Sequence, residues 1–341
     1  MEKIIIFLVT AIFIGGCSEK KSTEPDSNLD VVGMELVSEY ELEPGAYNFA
    51  IKDNFLIRPN DSNEIVIFDI SSDFLEEVSN LYIPFDDPLS IYIYQNYGFV
   101  FFYNNSGHIC SMSILDFSDT NNPSILSTIE DFDDYFDATY INHGCVVGEY
   151  LYIGDFGDIQ IFNISDITNP TYETSFSIPG ECEDIQFEDN IIYCCSSVAG
   201  YYTGYFFTMD VQDPLNPLIL SQIETIGYAL ESTIDNEFAF VACADSGLLS
   251  INISNPSELF ISDQFDTSGW ATHLYKFSTN IFVGTDSEGG AGVYIINSED
   301  PENLAHIYLE ENFTPWDLNI YRDYLYALHI DKIYTYHILS E

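Results

Sequence analysis

Two acidic stretches contain the residues best suited to binding a ligand. The first has four aspartates within seven residues, and closely spaced carboxylates of this kind suit hard cations such as Ca²⁺. These aspartates are Asp131, Asp133, Asp134 and Asp137. Their order differs from the D-x-D-x-D-G pattern of a dedicated calcium loop. The sequence therefore offers calcium as a candidate cofactor and these four residues as its candidate ligands.

The second acidic stretch is expected to share one face of the protein with several aromatic residues. Carboxylates there could hold a cation, and aromatic rings could stack on a sugar or on a basic peptide. The candidate ligand-binding residues are Glu181, Glu183, Asp184, Tyr228, Trp270, Trp316 and Asp317. The structural alternative is that these rings fill the interior and that these acids are solvated.

No catalytic set stands out in the sequence. It lacks a G-x-S-x-G elbow, a glycine-rich phosphate loop and an H-E-x-x-H motif. His108 with Cys110 and His143 with Cys145 are the nearest His/Cys pairs, and both are typical of residues alternating along a strand rather than of a zinc site. Paired carboxylates for glycoside hydrolysis stay open as an alternative, because acids are spread along the whole chain.

The element that must position these residues is a repeated strand. Six apolar strands end in an Asp or Asn followed by a turn rich in Ser, Asn and Pro, and a seventh, degenerate copy ends at His337. The repeat intervals are 47, 47, 47, 42, 45 and 40 residues, which is about the length of one four-stranded propeller blade. The six repeat positions are Asp69, Asp116, Asn163, Asp210, Asn252 and Asn297. Short alternating strands without a long helical period predict an all-β fold.

The two ends of the chain predict how the repeats assemble. The last copy stops at Glu341 after its third strand, whereas residues 34–40 form a lone strand with the pattern of the outer strands. Pairing of the two would complete the last blade and remove an exposed sheet edge. We therefore predict a single domain over residues 31–341: a seven-bladed β-propeller of four-stranded blades, closed by the N-terminal strand. Six blades, with one copy misread, is the alternative.

The first thirty residues predict export and anchoring. Residues 1–16 contain Lys3 and an apolar run, as in a signal peptide, and the run ends in Gly-Gly before Cys17. This boundary resembles the lipobox of bacterial lipoproteins, so we expect cleavage before Cys17 and lipid attachment to it; an ordinary signal with a chance cysteine is the alternative. Residues 17–30 form a polar, flexible tether. Ser18 implies, by the same resemblance, the outer membrane or the cell surface.

Charge limits the range of partners. The formal net charge is −48, with only 8 Lys and Arg residues in 341. An acidic protein of this kind repels phosphate backbones, so we expect no nucleic-acid partner. It would attract cations or a basic partner, or its charge could simply form a solvated acidic coat. Six cysteines follow Cys17 without a C-x-x-C pair, which is typical of buried small side chains and leaves one or two disulfides open.

The repeated strand resembles the LVIVD repeat of bacterial and archaeal surface proteins, whose strand also runs into Asp-Ile-Ser-Asn-Pro. The best matches are residues 65–71, 159–170 and 248–256, and the resemblance extends over most of residues 34–341. It implies an exported β-propeller and supplies no catalytic residues. The physical role of the Asp or Asn is to bond backbone groups of the turn that follows.

These observations together predict a lipid-anchored lipoprotein of the cell envelope that acts as a binding or scaffold module. Its expected partners are the membrane, through the anchor, and a protein or carbohydrate of unknown identity. The alternative is an exported propeller-type enzyme acting on polysaccharide or another extracellular substrate. A third class is a purely structural surface component, which would need no concave site.

Overall fold

A computed structural model of the protein describes residues 30–84, 88–103, 109–129, 144–198, 200–286, 291–311 and 313–340. Every regular element in these ranges is a β-strand, which agrees with the all-β prediction. Within the same ranges, no helix is long and apolar enough to cross a membrane.

The strands are mostly short and follow one another at intervals of a few residues. The first twelve are β1 (Val31–Glu41), β2 (Ala50–Lys52), β3 (Phe55–Pro59), β4 (Glu64–Asp69), β5 (Glu76–Tyr82), β6 (Pro88–Tyr94), β7 (Tyr97–Tyr103), β8 (Ile109–Asp116), β9 (Ser124–Ile129), β10 (Gly144–Val147), β11 (Tyr150–Gly154) and β12 (Phe156–Asn163). The others are β13 (Thr171–Glu188), β14 (Ile191–Val198), β15 (Thr203–Asp210), β16 (Leu218–Ile226), β17 (Glu231–Asp235), β18 (Phe238–Ala242), β19 (Leu248–Asn252), β20 (Phe260–Phe265), β21 (Trp270–Phe277), β22 (Asn280–Asp286), β23 (Gly292–Asn297), β24 (Ala305–Glu311), β25 (Asp317–Tyr321), β26 (Tyr324–His329) and β27 (Lys332–Ser340).

The described strands form antiparallel meanders. Five sheets have four strands each, in the orders β2-β3-β4-β5, β6-β7-β8-β9, β17-β18-β19-β20, β21-β22-β23-β24 and β1-β27-β26-β25. The sixth sheet has seven strands, from β10 to β16 in chain order. Consecutive strands pair because short turns join them, as at Asn236, whose φ of 56° suits a side chain that tolerates the left-handed region.

Strand β13 is long because it belongs to two meanders. Its first half pairs with β12 and its second half with β14, and the two pairings meet at Glu181. Gly180 lies at this junction with φ +84°, and a Cβ on it would approach the carbonyl oxygen of Ser197 to 2.2 Å. Only glycine fits there without strain. Pro179-Gly180 has the composition of a turn, yet the strand continues through it.

The repeated Asp or Asn performs the role expected of it. In all six copies its Oδ1 accepts a hydrogen bond from the backbone N–H two residues later, at 2.7 to 3.1 Å. At Asp69, hydrogen bonds from Ser71 lower the pKa of the carboxyl group. In the degenerate copy, His337 instead contacts Asp323, with 3.0 Å between Nε2 and Oδ2. The motif thus fixes the turn after each third strand.

The hydrophobic core lies between neighbouring sheets. Ile57, Ile67 and Phe102, for example, are fully buried in one cluster that joins the β2–β5 sheet to the β6–β9 sheet. Apolar side chains of each sheet therefore pack face to face against the next one, as in stacked sheets generally.

The N-terminal strand completes the sheet of the C-terminal strands. β1 pairs antiparallel with β27 from Val31 to Glu41, with Leu36 opposite Tyr336. Met34 is 5% exposed and packs in a cluster with Ile338 and with Tyr275 of the preceding sheet. The strand is thus held both by its backbone pairing and by its apolar side chains.

Candidate functional site

One edge of the sheets collects five of the residues that the sequence selected, namely Glu181, Glu183, Tyr228, Trp270 and Trp316. We call it the upper edge: it comprises residues 155, 179–183, 200–202, 227–230, 243–247, 266–271, 313–316 and 330–331, which lead from a second to a third strand or from one meander into the first strand of the next. Hydrogen bonds join these segments, including Gly227 N–H to Tyr202 O at 3.1 Å and Cys182 N–H to Asp155 O at 3.1 Å. Ala244 and Ala271 form a two-way backbone bridge. The segments therefore support one another.

Asp184 and Asp317, two of the candidate ligand-binding residues, lie in the interior and connect sheets. Asp184 is fully buried, and its Oδ2 accepts hydrogen bonds from the backbone N–H of Ser232 at 2.9 Å and from its hydroxyl at 2.8 Å. Asp317 is 9% exposed, and its Oδ2 accepts from the backbone N–H of Phe49 at 3.0 Å. Asp184 and Ser232 lie in the first strands of two meanders, whereas Asp317 begins a first strand and Phe49 directly precedes another. Each hydrogen bond thus joins the start of one meander to the start of another. Their ligand-binding role stays a prediction.

Two further residues that the sequence analysis did not select make the same kind of link. The buried carboxylate of Glu231 accepts from Leu274 N–H at 3.2 Å, and its Oε2 lies 3.2 Å from His273 Nδ1. Asn48 bonds both backbone groups of Ile91, at 3.0 and 3.1 Å. The four linking residues occupy the start of a first strand or the approach to it. A search for a polar residue at this point of each repeat would have found them.

Glu181 and Glu183 remain near the upper edge and have raised pKa values. The Glu183 carboxylate accepts a hydrogen bond from Ser197, but burial outweighs it and, with the charge of Glu181, raises the pKa of Glu183 to about 7. Burial and then the charge of Asp155 raise the pKa of Glu181. Asp155 is itself fixed by Gln160, whose amide donates to Oδ2 at 3.1 Å. The structure thus brings together two carboxyl groups of raised pKa, of which Glu183 can hold a proton near neutral pH.

The candidate aromatic residues are all partly exposed along the same edge. Tyr228 stacks on Tyr202, with ring centroids 5.9 Å apart and planes inclined by 19°. Tyr201 and Ile226 beside them are 78% and 81% exposed. This aromatic patch consists of Tyr201, Tyr202, Ile226 and Tyr228, and sequence reasoning identified only the last of them.

The two tryptophans lie in separate places along the edge. Trp316 contacts Tyr47 with 5.2 Å between ring centroids and also approaches His329 at 6.5 Å. Trp270 begins β21 opposite Asp286. Both side chains are partly exposed, so each ring keeps some surface toward solvent.

The structure places a polar cavity of about 280 Å³ beside the end of β1. Its walls include the buried Arg58, whose Nη1 donates to Glu43 O at 2.8 Å and whose Nη2 donates to Ala46 O at 3.3 Å. Burial lowers the pKa of Arg58 to about 10, so the guanidinium stays charged at neutral pH. The cavity lining also includes Tyr40, Glu41, Leu42, Asn60, Glu64, Val66, Phe68 and Glu77.

The candidate calcium ligands Asp131, Asp133, Asp134 and Asp137 lie outside the described residues, as does Cys17. Among the side chains that are described, no group of three or more His, Cys, Asp and Glu residues could hold a metal ion.

Comparison with known proteins identifies the repeats. A family model described as "LVIVD repeat" matches residues 145–177 and 226–267. The chain contains LVIVD repeats. This match confirms the resemblance drawn from the strand motif, and in the second match the LVIVD repeat includes the motif strand β19, which ends at Asn252. A search of curated proteins finds no match to the chain.

Solved structures similar to this chain show its fold. The β-propeller domain of Cps50 (Swd1) from Myceliophteria thermophila superposes with a TM-score of 0.67 at 11% identity, covering 90% of this chain and 100% of that one. U3-55K gives a TM-score of 0.63 at 11% identity, covering 91% and 100%. The computationally designed protein Ika8 gives 0.60 at 10% identity, covering 91% and 99%. At such low identity the likeness shows a shared β-propeller fold and nothing of function.

Proposed function

We propose that this protein is a lipid-anchored propeller of the cell envelope that binds a protein or carbohydrate ligand at its upper edge. The observation that carries this proposal is the stacked Tyr202–Tyr228 pair, whose residues flank β15 and β16 of the sheet that also contains Glu181 and Glu183. Aromatic faces and carboxylate acceptors along one edge suit stacking on a sugar or on a basic side chain. No member of this set requires a metal or a cofactor.

The proposed architecture is a single domain of seven blades, residues 31–341, in a closed ring. Counting β13 once in each of its two meanders divides the described strands into seven groups of four, with β1 in the last group. The first strand of each group contacts the first strand of the next, in the order β2, β6, β10, β13, β17, β21 and β25. The last of them, β25, contacts β2. The bond from Phe49 to Asp317 spans this final junction. These contacts support a ring with its seam at β1 and β27.

The proposed anchor is a lipid on Cys17, placed by the signal-like residues 1–16 and followed by the tether of residues 17–30. The test is expression of the full chain in a bacterial host with Cys17→Ser as the variant and Ser18→Ala as the matched control. We expect the parent and the control to partition into detergent with the membrane fraction, and the variant to be released. Membrane retention of Cys17→Ser at the parental level would exclude the lipid anchor.

Ligand binding can be followed by tryptophan fluorescence, because the two tryptophans of the chain both lie at the upper edge. We would titrate the protein with oligosaccharides of defined composition, with a lysine-rich peptide and with calcium chloride. A saturable change in emission with a sugar or peptide supports the proposal. A response to calcium alone would assign the site to the cation, and no response to any of the three would exclude binding at this edge.

The alternative function, an exported enzyme acting on polysaccharide, draws on the pKa of Glu183. A carboxyl group that titrates at about 7 can donate a proton as a general acid at neutral pH, and Glu181 provides a nearby second carboxylate. Incubation with polysaccharides and analysis of reducing ends tests this reading. Release of oligosaccharides that is lost in Glu183→Gln would favour the enzyme over the binding module.

A further inference from the structure

Two buried cysteines lie in direct contact on neighbouring strands. The sulfur atoms of Cys182 and Cys194 are 3.4 Å apart, and the side chains are 7% and 0% exposed. Cys182 is in β13 and Cys194 in β14, where their partners across the ladder are Ser196 and Ile185. The register of this ladder shifts between Cys182 and Asp184. The two thiols therefore meet diagonally, beside the irregularity that the shift creates.

We infer that Cys182 and Cys194 form an intrachain disulfide when the chain folds in an oxidising environment. A disulfide has its sulfur atoms about 2.0 Å apart, so the bond requires an approach of about 1.4 Å, which side-chain rotation on two adjacent strands can supply. The inference rests on this geometry alone, and holds whether or not the protein is exported.

The fold separates this pair from the neighbouring cysteine. Cys194 packs with Cys182 and Cys145 in one hydrophobic cluster, whereas Cys195 packs with Cys243 in another. Successive residues of a strand point to opposite faces, so Cys194 and Cys195 cannot exchange places without a slip of the whole strand. Cys195 is thus a matched control: the same residue type, equally buried and one position away.

The chemistry is thiol–disulfide exchange with a small disulfide such as oxidised glutathione. One protein thiolate attacks the glutathione disulfide and expels a glutathione thiolate; the second protein thiolate then attacks the mixed disulfide and expels another. The protein loses two electrons and two protons, and one glutathione disulfide becomes two thiols. Burial raises the pKa of Cys194 strongly in the folded protein, which suppresses its thiolate. The bond should therefore form during folding and slowly afterwards.

The location gives the bond a structural consequence. Cys182 lies between Glu181 and Glu183, and Asp184 follows as the link to Ser232. A bond to Cys194 would fasten this segment to β14 and restrain the unfolded chain over a loop of about a dozen residues. We expect the midpoint of thermal unfolding to rise by about 4 °C relative to the reduced protein.

The test is refolding of the full chain from denaturant in a glutathione redox buffer, followed by alkylation of free thiols and non-reducing peptide mapping. Glutamyl endopeptidase is suited to the mapping, because Glu188 separates the two cysteines whereas no Lys or Arg lies between residues 58 and 276. We expect a linked peptide pair in the parent and in Cys195→Ser, and its loss in both Cys182→Ser and Cys194→Ser. The parent and Cys195→Ser should also show the higher unfolding midpoint.

Two results would overturn the inference. One is full alkylation of both Cys182 and Cys194 in refolded parent protein. The other is a linked pair that persists in Cys194→Ser and disappears in Cys195→Ser. If a variant fails to refold, the folded parent is oxidised with diamide and mapped in the same way. A link between the peptides of Cys182 and Cys194 supports the inference, and a link from either of them to Cys145, which lies in the same cluster, overturns it.

Discussion

The carboxylate of Asp317 accepts a 3.0 Å hydrogen bond from the backbone N–H of Phe49, although 268 residues separate them in the chain. Asp184 makes an equivalent contact with Ser232 across 48 residues. Both acids are buried, so these hydrogen bonds supply acceptors to backbone N–H groups of the interior. Acidic residues, which the sequence presents as candidates for an exposed site, thus hold adjacent sheets together.

Loss of the Asp184 link should destabilise the fold. Asp184→Ala leaves the backbone N–H and hydroxyl of Ser232 without this acceptor in the interior, and we expect a decrease of about 2–4 kcal/mol in the free energy of unfolding. Asp184→Asn keeps one acceptor oxygen and should lose about half as much. Urea denaturation measures both, with Glu237→Ala, an exposed acid of the next sheet, as the control. An Asp184→Ala protein as stable as this control would contradict the role of the link.

Removal of the N-terminal strand should open the sheet to which β27 belongs. A chain lacking residues 1–41 loses the burial of Val31 and Met34, worth about 3–6 kcal/mol together, and exposes the edge of β27. We expect a lower unfolding midpoint and association of molecules through the free edge. Thermal unfolding and size-exclusion chromatography measure the two effects, and a chain lacking only residues 1–29 is the control. A monomeric, equally stable truncated chain would refute closure by β1.

The raised pKa of Glu183 predicts a dependence of stability on pH. The folded state holds the Glu183 proton more tightly than the unfolded state does, with pKa values of about 7 and 4.5. Its contribution to stability is therefore fully present below pH 4.5 and is lost as the pH rises to about 7. Because the side chain is partly exposed, we expect a loss of about 1–2 kcal/mol.

Glu183→Gln removes this titration. Between about pH 4.5 and 7.5, the free energy of unfolding of the variant should therefore rise by about 1–2 kcal/mol relative to that of the parent. Denaturant unfolding at several pH values measures it. Glu237→Gln alters an exposed acid, so its free energy of unfolding should depend on pH in the same way as that of the parent. Parallel curves for Glu183→Gln would mean that Glu183 titrates normally.

Tyr228→Ala should weaken the proposed ligand binding without unfolding the protein. A ring that stacks on a ligand is worth about 1–3 kcal/mol, so we expect the dissociation constant to rise by about 5- to 150-fold. Tyr201→Ala removes another ring of the same aromatic patch. It shows whether any loss of apolar surface weakens binding or only the loss of the Tyr228 ring. Fluorescence titration with the ligand found for the parent protein measures both, and an unchanged dissociation constant in Tyr228→Ala would move the site away from this ring.

The strands were predictable because each repeat carries its own turn chemistry. The bond from Asp69 to Ser71, repeated in the other five copies, makes every third strand end in the same way, and a local rule of this kind can be read from sequence. The junction at Glu181 could not be predicted, since Pro179-Gly180 reads locally as a turn while pairing on both sides keeps β13 continuous.

The candidate site was less predictable than the fold. Trp270, Trp316 and Tyr228 could be placed at one edge from strand order alone. Whether an acid faces solvent or accepts a hydrogen bond from the next sheet depends on packing between distant segments, as for Asp317 with Phe49. Composition alone gives no signal for that choice.

The pairing of β1 with β27 also sets an order in time. Residue 31 is made about three hundred residues before its partner Ser340, so the last sheet can be completed only after β27 has been synthesised. Local meanders can form within their own thirty or forty residues, whereas this pairing has the greatest sequence separation among the strand pairings of the described residues and therefore the slowest loop closure. We expect this pairing to form last and β1 to remain unpaired until then.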